Sequence, residues 1–78
     1  MVNVVSVKVL DVRGLQCPEP LLRIVKVVEE LNTGEVVDVI TDVPECVNLI
    51  KEAVEGFELG LVEVLNKDGY FVLRVLVR

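Results

Sequence analysis

Apolar and polar positions alternate from Val4 to Val12, with Val5, Val7 and Val9 on one side and Ser6 and Lys8 on the other. That two-residue period predicts a β-strand. Asp11 to Gln16 breaks the alternation, and Gly14 suits a tight turn there. Leu21, Ile24, Val25, Val28 and Leu31 then recur at helical spacing, with Glu19, Arg23, Lys26 and Glu30 on the opposite side. Glu19 and Arg23 stand four apart in the order that favours an ion pair on a helix. Asn32-Thr33-Gly34 closes this helix, and Glu35 to Thr41 is a short β-branched strand.

A second helix begins at Asp42-Val43-Pro44, since proline is tolerated in a first turn. Its apolar stripe is Val47, Ile50, Val54 and Phe57, and it ends near Gly56 or Gly60. Leu61 to Leu65 and Tyr70 to Val77 read as strands, joined by a hairpin loop at Asn66-Lys67-Asp68-Gly69. In the last strand Phe71, Leu73, Val75 and Val77 share a face. The predicted order is βαβαββ over one domain, residues 1–78. Right-handed crossovers place both helices on one side of the sheet. The fold class is therefore α/β (α+β), a two-layer sandwich with a four-stranded mixed sheet. Its other face carries Ser6, Lys8, Asp38, Glu63 and Arg74.

Composition narrows the function. A net charge of −5 leaves few cations to neutralise phosphates, so neither nucleic acid nor an anionic membrane surface is an expected partner. No apolar run approaches the roughly 18 residues of a membrane span. Val2 to Leu10 lacks the basic leader and small-residue cleavage site of a signal peptide. The expected location is the cytoplasm. Two cysteines, Cys17 and Cys46, and no histidine rule out a four-ligand zinc site and a Cys–His nucleophile pair within one chain. No metal or cofactor is expected. In a reducing compartment the two cysteines are expected to be free thiols.

The chemistry concentrates in Asp11-Val12-Arg13-Gly14-Leu15-Gln16-Cys17-Pro18-Glu19-Pro20. With Pro18 at the first helical position, Cys17 becomes the N-cap. The positive end of a helix favours a thiolate, and such sites lower a cysteine pKa to about 3.5–7.5. Pro20 has no N–H, so only Glu19 could donate back to Cys17, leaving the sulfur loosely held. Arg13 adds positive charge and the Glu19 carboxylate opposes it, so the expected shift is modest. Asp11 is placed to cap the turn around Gly14 with its side chain. A reactive thiol without a general base suits transfer of sulfane sulfur between cysteines, by steps like thiol–disulfide exchange.

The pattern Asp-x-x-Gly-Leu-x-Cys-Pro-Glu-Pro, followed by an amphipathic helix, resembles the TusA/SirA-like (YedF-type) sulfur-carrier family. Gly34-Glu35 before the second strand and Asp42-x-Pro44 before the second helix extend the resemblance over nearly the whole chain. The resemblance implies a βαβαββ fold and a persulfide on Cys17, with Arg13, Gly14, Pro18, Glu19 and Pro20 shaping the site. It further implies a protein donor, either a cysteine desulfurase or a rhodanese-like protein, and a protein acceptor. Family relays run toward tRNA thiolation or other sulfur metabolism.

Two readings stand beside the carrier. Parallel first and second strands would start both helices at one sheet edge, bringing Cys46 to the same rim as Cys17. Cys46 could then be a resolving or second sulfur-bearing thiol, making the chain a thiol redox protein. Packing is the simpler role, because free cysteine is among the most buried residue types. Alternatively, the chain is a non-catalytic regulatory or protein-binding module.

Overall fold

The computed structural model describes residues 7–78. Strand β1 (Val7–Asp11) leads to helix α1 (Glu19–Glu30), β2 (Val36–Thr41), α2 (Pro44–Gly56), β3 (Gly60–Asn66) and β4 (Phe71–Val77). The sheet runs β1-β2-β4-β3, with β1 parallel to β2 and β4 antiparallel to both β2 and β3. Strand β4 thus lies between β2 and β3, which point the same way. Both βαβ crossovers step in one direction across the sheet, so right-handed connections put both helices on one face. Among the described residues one apolar cluster confirms the shared face. Ile24 and Val28 of α1 and Val47, Ile50 and Val54 of α2 meet Val37, Val39, Val62, Leu73 and Val75 of the sheet.

Register explains which side chains are inside. Val37 pairs with Val75 and Val39 with Leu73, so these four point together into the helix layer. One residue out of phase, Asp38 pairs with Arg74 and Arg74 with Glu63, on the open face. There the Arg74 guanidinium donates to both Asp38 carboxylate oxygens, at 2.9 and 3.0 Å.

The first strand reverses the expected faces. Lys8 pairs with Val37 and Leu10 with Val39, which puts Lys8 and Leu10 on the helix side. Val7 and Val9 face outward, and Val9 is 59% exposed. From Val4 to Val12 valine falls at both parities, so the valines alone could not set the face of this segment. Leu10, partly buried, and Val12, fully buried, identify the inner side. The expectations at Val4, Val5 and Ser6 lie outside the described residues.

Both helices depart from their expected stripes. In α1, Pro20 is buried and Val27 packs on the core in place of Val25. In α2 the stripe stops one turn early, and Phe57 is 77% exposed. The chain turns back after Gly56, with Glu58 in the left-handed region at φ 58°. The Leu59 N–H then donates to the Val54 carbonyl at 2.9 Å, and Leu59 packs against the core where Phe57 was expected.

Gly60 does not end the helix; it opens β3. A Cβ at this position would lie 2.5 Å from the Leu76 carbonyl oxygen on the neighbouring strand. Backbone cannot yield as a flexible side chain does, so Gly60→Ala should destabilise the fold by about 1–3 kcal/mol. The denaturation midpoint measures this, and an unchanged midpoint would show that β3 can shift outward freely.

Candidate functional site

The site forms where β1 and β2 deliver the chain to their helices. Beyond Asp11, the Val12 N–H still donates to the Ile40 carbonyl at 2.8 Å, so the two strand ends leave the sheet side by side. Asp11 then folds the next residues over itself. Its carboxylate accepts the Arg13 backbone N–H at 3.0 Å and the Arg13 guanidinium at 2.7–3.2 Å. Hydrogen bonding from Arg13 holds the Asp11 carboxyl below its ordinary range, and the same pair holds the guanidinium proton more tightly. The Arg13 guanidinium also lies over the Tyr70 ring, 5.8 Å from its centre.

Gly14 follows with φ +82°, a conformation that side chains rarely adopt. Its N–H donates to the Asp42 carboxylate at 2.9 Å, tying the loop after β1 to the segment that starts α2. In the sequence Asp42 marks only the start of the second helix. The available signal was topological: an Asp next to the second helix start lies on the rim where the first loop also ends. The neighbouring Thr41 is fully buried, and its hydroxyl oxygen accepts the Val43 N–H at 3.2 Å.

Cys17 sits one residue further from the helix than expected. The N-cap of α1 is Pro18, the Cys17–Pro18 peptide is cis, and among the described residues no side chain caps the helix. The Glu19 N–H donates to the Gln16 carbonyl at 3.1 Å, closing a turn with Cys17 and Pro18 at its corners. Regular helix bonding begins only with the Leu22 N–H, which donates to the Pro18 carbonyl. Two prolines flanking Glu19 thus delay the helix and put the cysteine on the turn before it. Cys17 is partly buried, neither sealed in the core nor fully exposed.

Glu19 and Arg13 take partners other than the cysteine. The Glu19 carboxylate accepts from Arg23 at 3.1 Å, an exposed pair one helical turn apart. Arg13 is committed to Asp11. Gly14 provides the turn, Pro18 the helix boundary and buried Pro20 the anchor of the first turn against the core.

Cys46 has 0% of its surface exposed and stands in the first turn of α2, where its N–H donates to the Val43 carbonyl at 3.0 Å. Cys17 and Cys46 form a disulfide with a Cα–Cα distance of 5.8 Å. The expectation of two free thiols is corrected here. Compartment argues only about average cysteines, whereas the two parallel crossovers bring these two helix starts to one rim. Their separation falls inside the roughly 4.4–6.8 Å that bridged cysteines span. Among the described residues no group of three or more His, Cys, Asp or Glu could hold a metal ion. Nor is any described helix long and apolar enough to cross a membrane.

The sequence model of the TusA sulfurtransferase family matches residues 8–77. The chain belongs to the TusA family. A candidate sulfur carrier protein of Methanocaldococcus jannaschii is 40% identical over 75 residues, covering 96% of this chain and 97% of its own length. The sulfur carrier protein TusA of Buchnera aphidicola is 30% identical over 63 residues, covering 81% of this chain and 80% of its own. The crystal structure of a SirA-like protein from Desulfitobacterium hafniense superposes with a TM-score of 0.81 at 29% identity. That match covers 91% of this chain and 96% of the other. This TusA-family chain therefore shares with its relatives the two-helix, four-stranded architecture that the alternation of its residues predicted.

Proposed function

We propose that this TusA-family chain is a sulfur carrier that holds sulfane sulfur as a persulfide on Cys17 and relays it between proteins. The observation that supports this best is the position of Cys17 on a partly open turn ahead of α1. A persulfide needs a sulfur that a partner can reach, and the only other sulfur of the pair is fully buried. In the loading step, the Cys17 thiolate attacks the outer sulfur of a donor persulfide and the donor leaves as a thiolate. In delivery, an acceptor thiolate attacks the outer sulfur on Cys17 and restores the Cys17 thiolate. Neither step needs a general base, which agrees with a chain that has no histidine. The Cys17–Cys46 bridge must first be opened by a dithiol reductant.

A cysteine desulfurase or a rhodanese-like protein fits the donor role, and a thiol protein of tRNA thiolation or sulfur metabolism fits the acceptor role, in the cytoplasm. The disulfide favours a second reading, a thiol redox protein cycling between the bridged and open forms. One experiment separates the two. The reduced chain is mixed with a small alkyl persulfide, quenched quickly and digested for mass spectrometry. Carriage predicts one added sulfur atom on the Cys17 peptide. A chain that only loses two hydrogens, and whose Cys46→Ser variant also binds no sulfur at any time, would overturn carriage and support redox cycling.

A further inference from the structure

We propose that Cys46 is a second catalytic thiol, which attacks the inner sulfur of the Cys17 persulfide and expels the outer sulfur as hydrosulfide. This rests on the carrier reading and adds a second exit for the sulfur. The Cys46 thiolate forms a bond to the Cys17 Sγ while the bond between the inner and outer sulfurs breaks. The electron pair of the broken bond leaves with the outer sulfur, which is reduced from sulfane to sulfide. The two cysteine sulfurs are together oxidised to the disulfide. The proton lost by Cys46 ends, through water, on the departing sulfide. A dithiol reductant then reopens the bridge, supplying two electrons for each sulfur released.

Three observations carry this. The disulfide is the product of the step, so the fold accommodates the two sulfurs at bonding contact, with Cα atoms 5.8 Å apart. Displacement at sulfur is close to linear, so the leaving atom must lie opposite the attacking one. Cys46 is sealed on the inner side of Cys17, and Cys17 is partly open. An outer sulfur therefore occupies the solvent side, in line for expulsion away from the core. The two helix starts also have a link independent of the disulfide: Gly14 donates to Asp42 and Val12 to Ile40. These bonds keep the thiols adjacent when the bridge is open. Because Cys46 has no exposed surface, a bulky donor cannot load it directly, and its natural target is a sulfur already on Cys17.

The test uses reduced wild-type chain, Cys46→Ser and Cys46→Val, each treated with a small alkyl persulfide and then freed of reagent by gel filtration. Hydrosulfide release and chain mass are followed over time. Wild type should release about one hydrosulfide per loaded sulfur and end as the disulfide. Both variants should keep the extra sulfur on Cys17, with release slower by on the order of tenfold or more, since the intramolecular nucleophile is gone. Cys46→Val refills the buried space with an apolar side chain if serine is poorly accommodated. Equal retention by wild type and variants would overturn the role of Cys46 and leave carriage standing. Failure of every chain to take up sulfur would overturn carriage and this inference together.

Discussion

Cys17→Ser should leave a folded chain that takes up no sulfur. A hydroxyl cannot hold a sulfane sulfur, and serine differs from cysteine by one atom on a partly open turn. The remaining thiol, Cys46, has no exposed surface to offer a donor. Loading, read as mass gained after exposure to a persulfide donor, should fall to background. Cys46→Ser is the matched control, because it removes the same bridge but keeps the outer thiol. It should still load. If Cys17→Ser loads as well as Cys46→Ser does, the carrying sulfur has been assigned to the wrong residue.

Opening the disulfide should cost the fold a large part of its stability. The bridge joins residues 29 apart in sequence. Closing a loop of that length restricts the unfolded chain by roughly 3.5 kcal/mol in the chain-entropy picture. For a domain of this size that corresponds to a fall in Tm of about 15–25 °C. Calorimetry with and without a dithiol measures it. A shift of only a few degrees would mean that the unfolded chain is already constrained between the two cysteines. A persulfide on Cys17, as proposed, requires the bridge open, so the apolar cluster of Ile24, Val28, Val39, Ile50 and Leu73 would then sustain the reduced form.

Much of this architecture was legible in the residues, and the exceptions have specific causes. Pro44 marks the start of α2 because proline fits a first turn, and Leu73, Val75 and Val77 lie buried on one face as their alternation requires. The expected phase of β1 is reversed because the wider stretch from Val4 to Val12 carries valine at both parities, and its face is set by pairing with β2. Phe57 was misread because helical spacing continues past Gly56 while the backbone does not. At the site, Asp11 capping of the Arg13–Gly14 turn follows from local chemistry. The N-cap was placed one residue early because two prolines within three residues each suggest a helix start. The shared rim of Cys17 and Cys46 followed from topology, but their bond did not. Asp42 reaches Gly14 across 28 residues, a partnership that no local pattern encodes.

The placement of β4 has a consequence for how the molecule assembles. Its register runs from Val36–Leu76 to Thr41–Phe71 on one flank and along all of β3 on the other, so it is the keystone of the sheet. During synthesis the cysteine-bearing turn and both helices emerge before this strand does. Until it slots in, β2 and β3 have no hydrogen-bonded link and the helices have only part of a floor. Such long-range pairing is gained late, and chains waiting for it expose apolar edges. Strand β4, far along the chain from the cysteine-bearing turn, is thus the one that makes the platform beneath it complete.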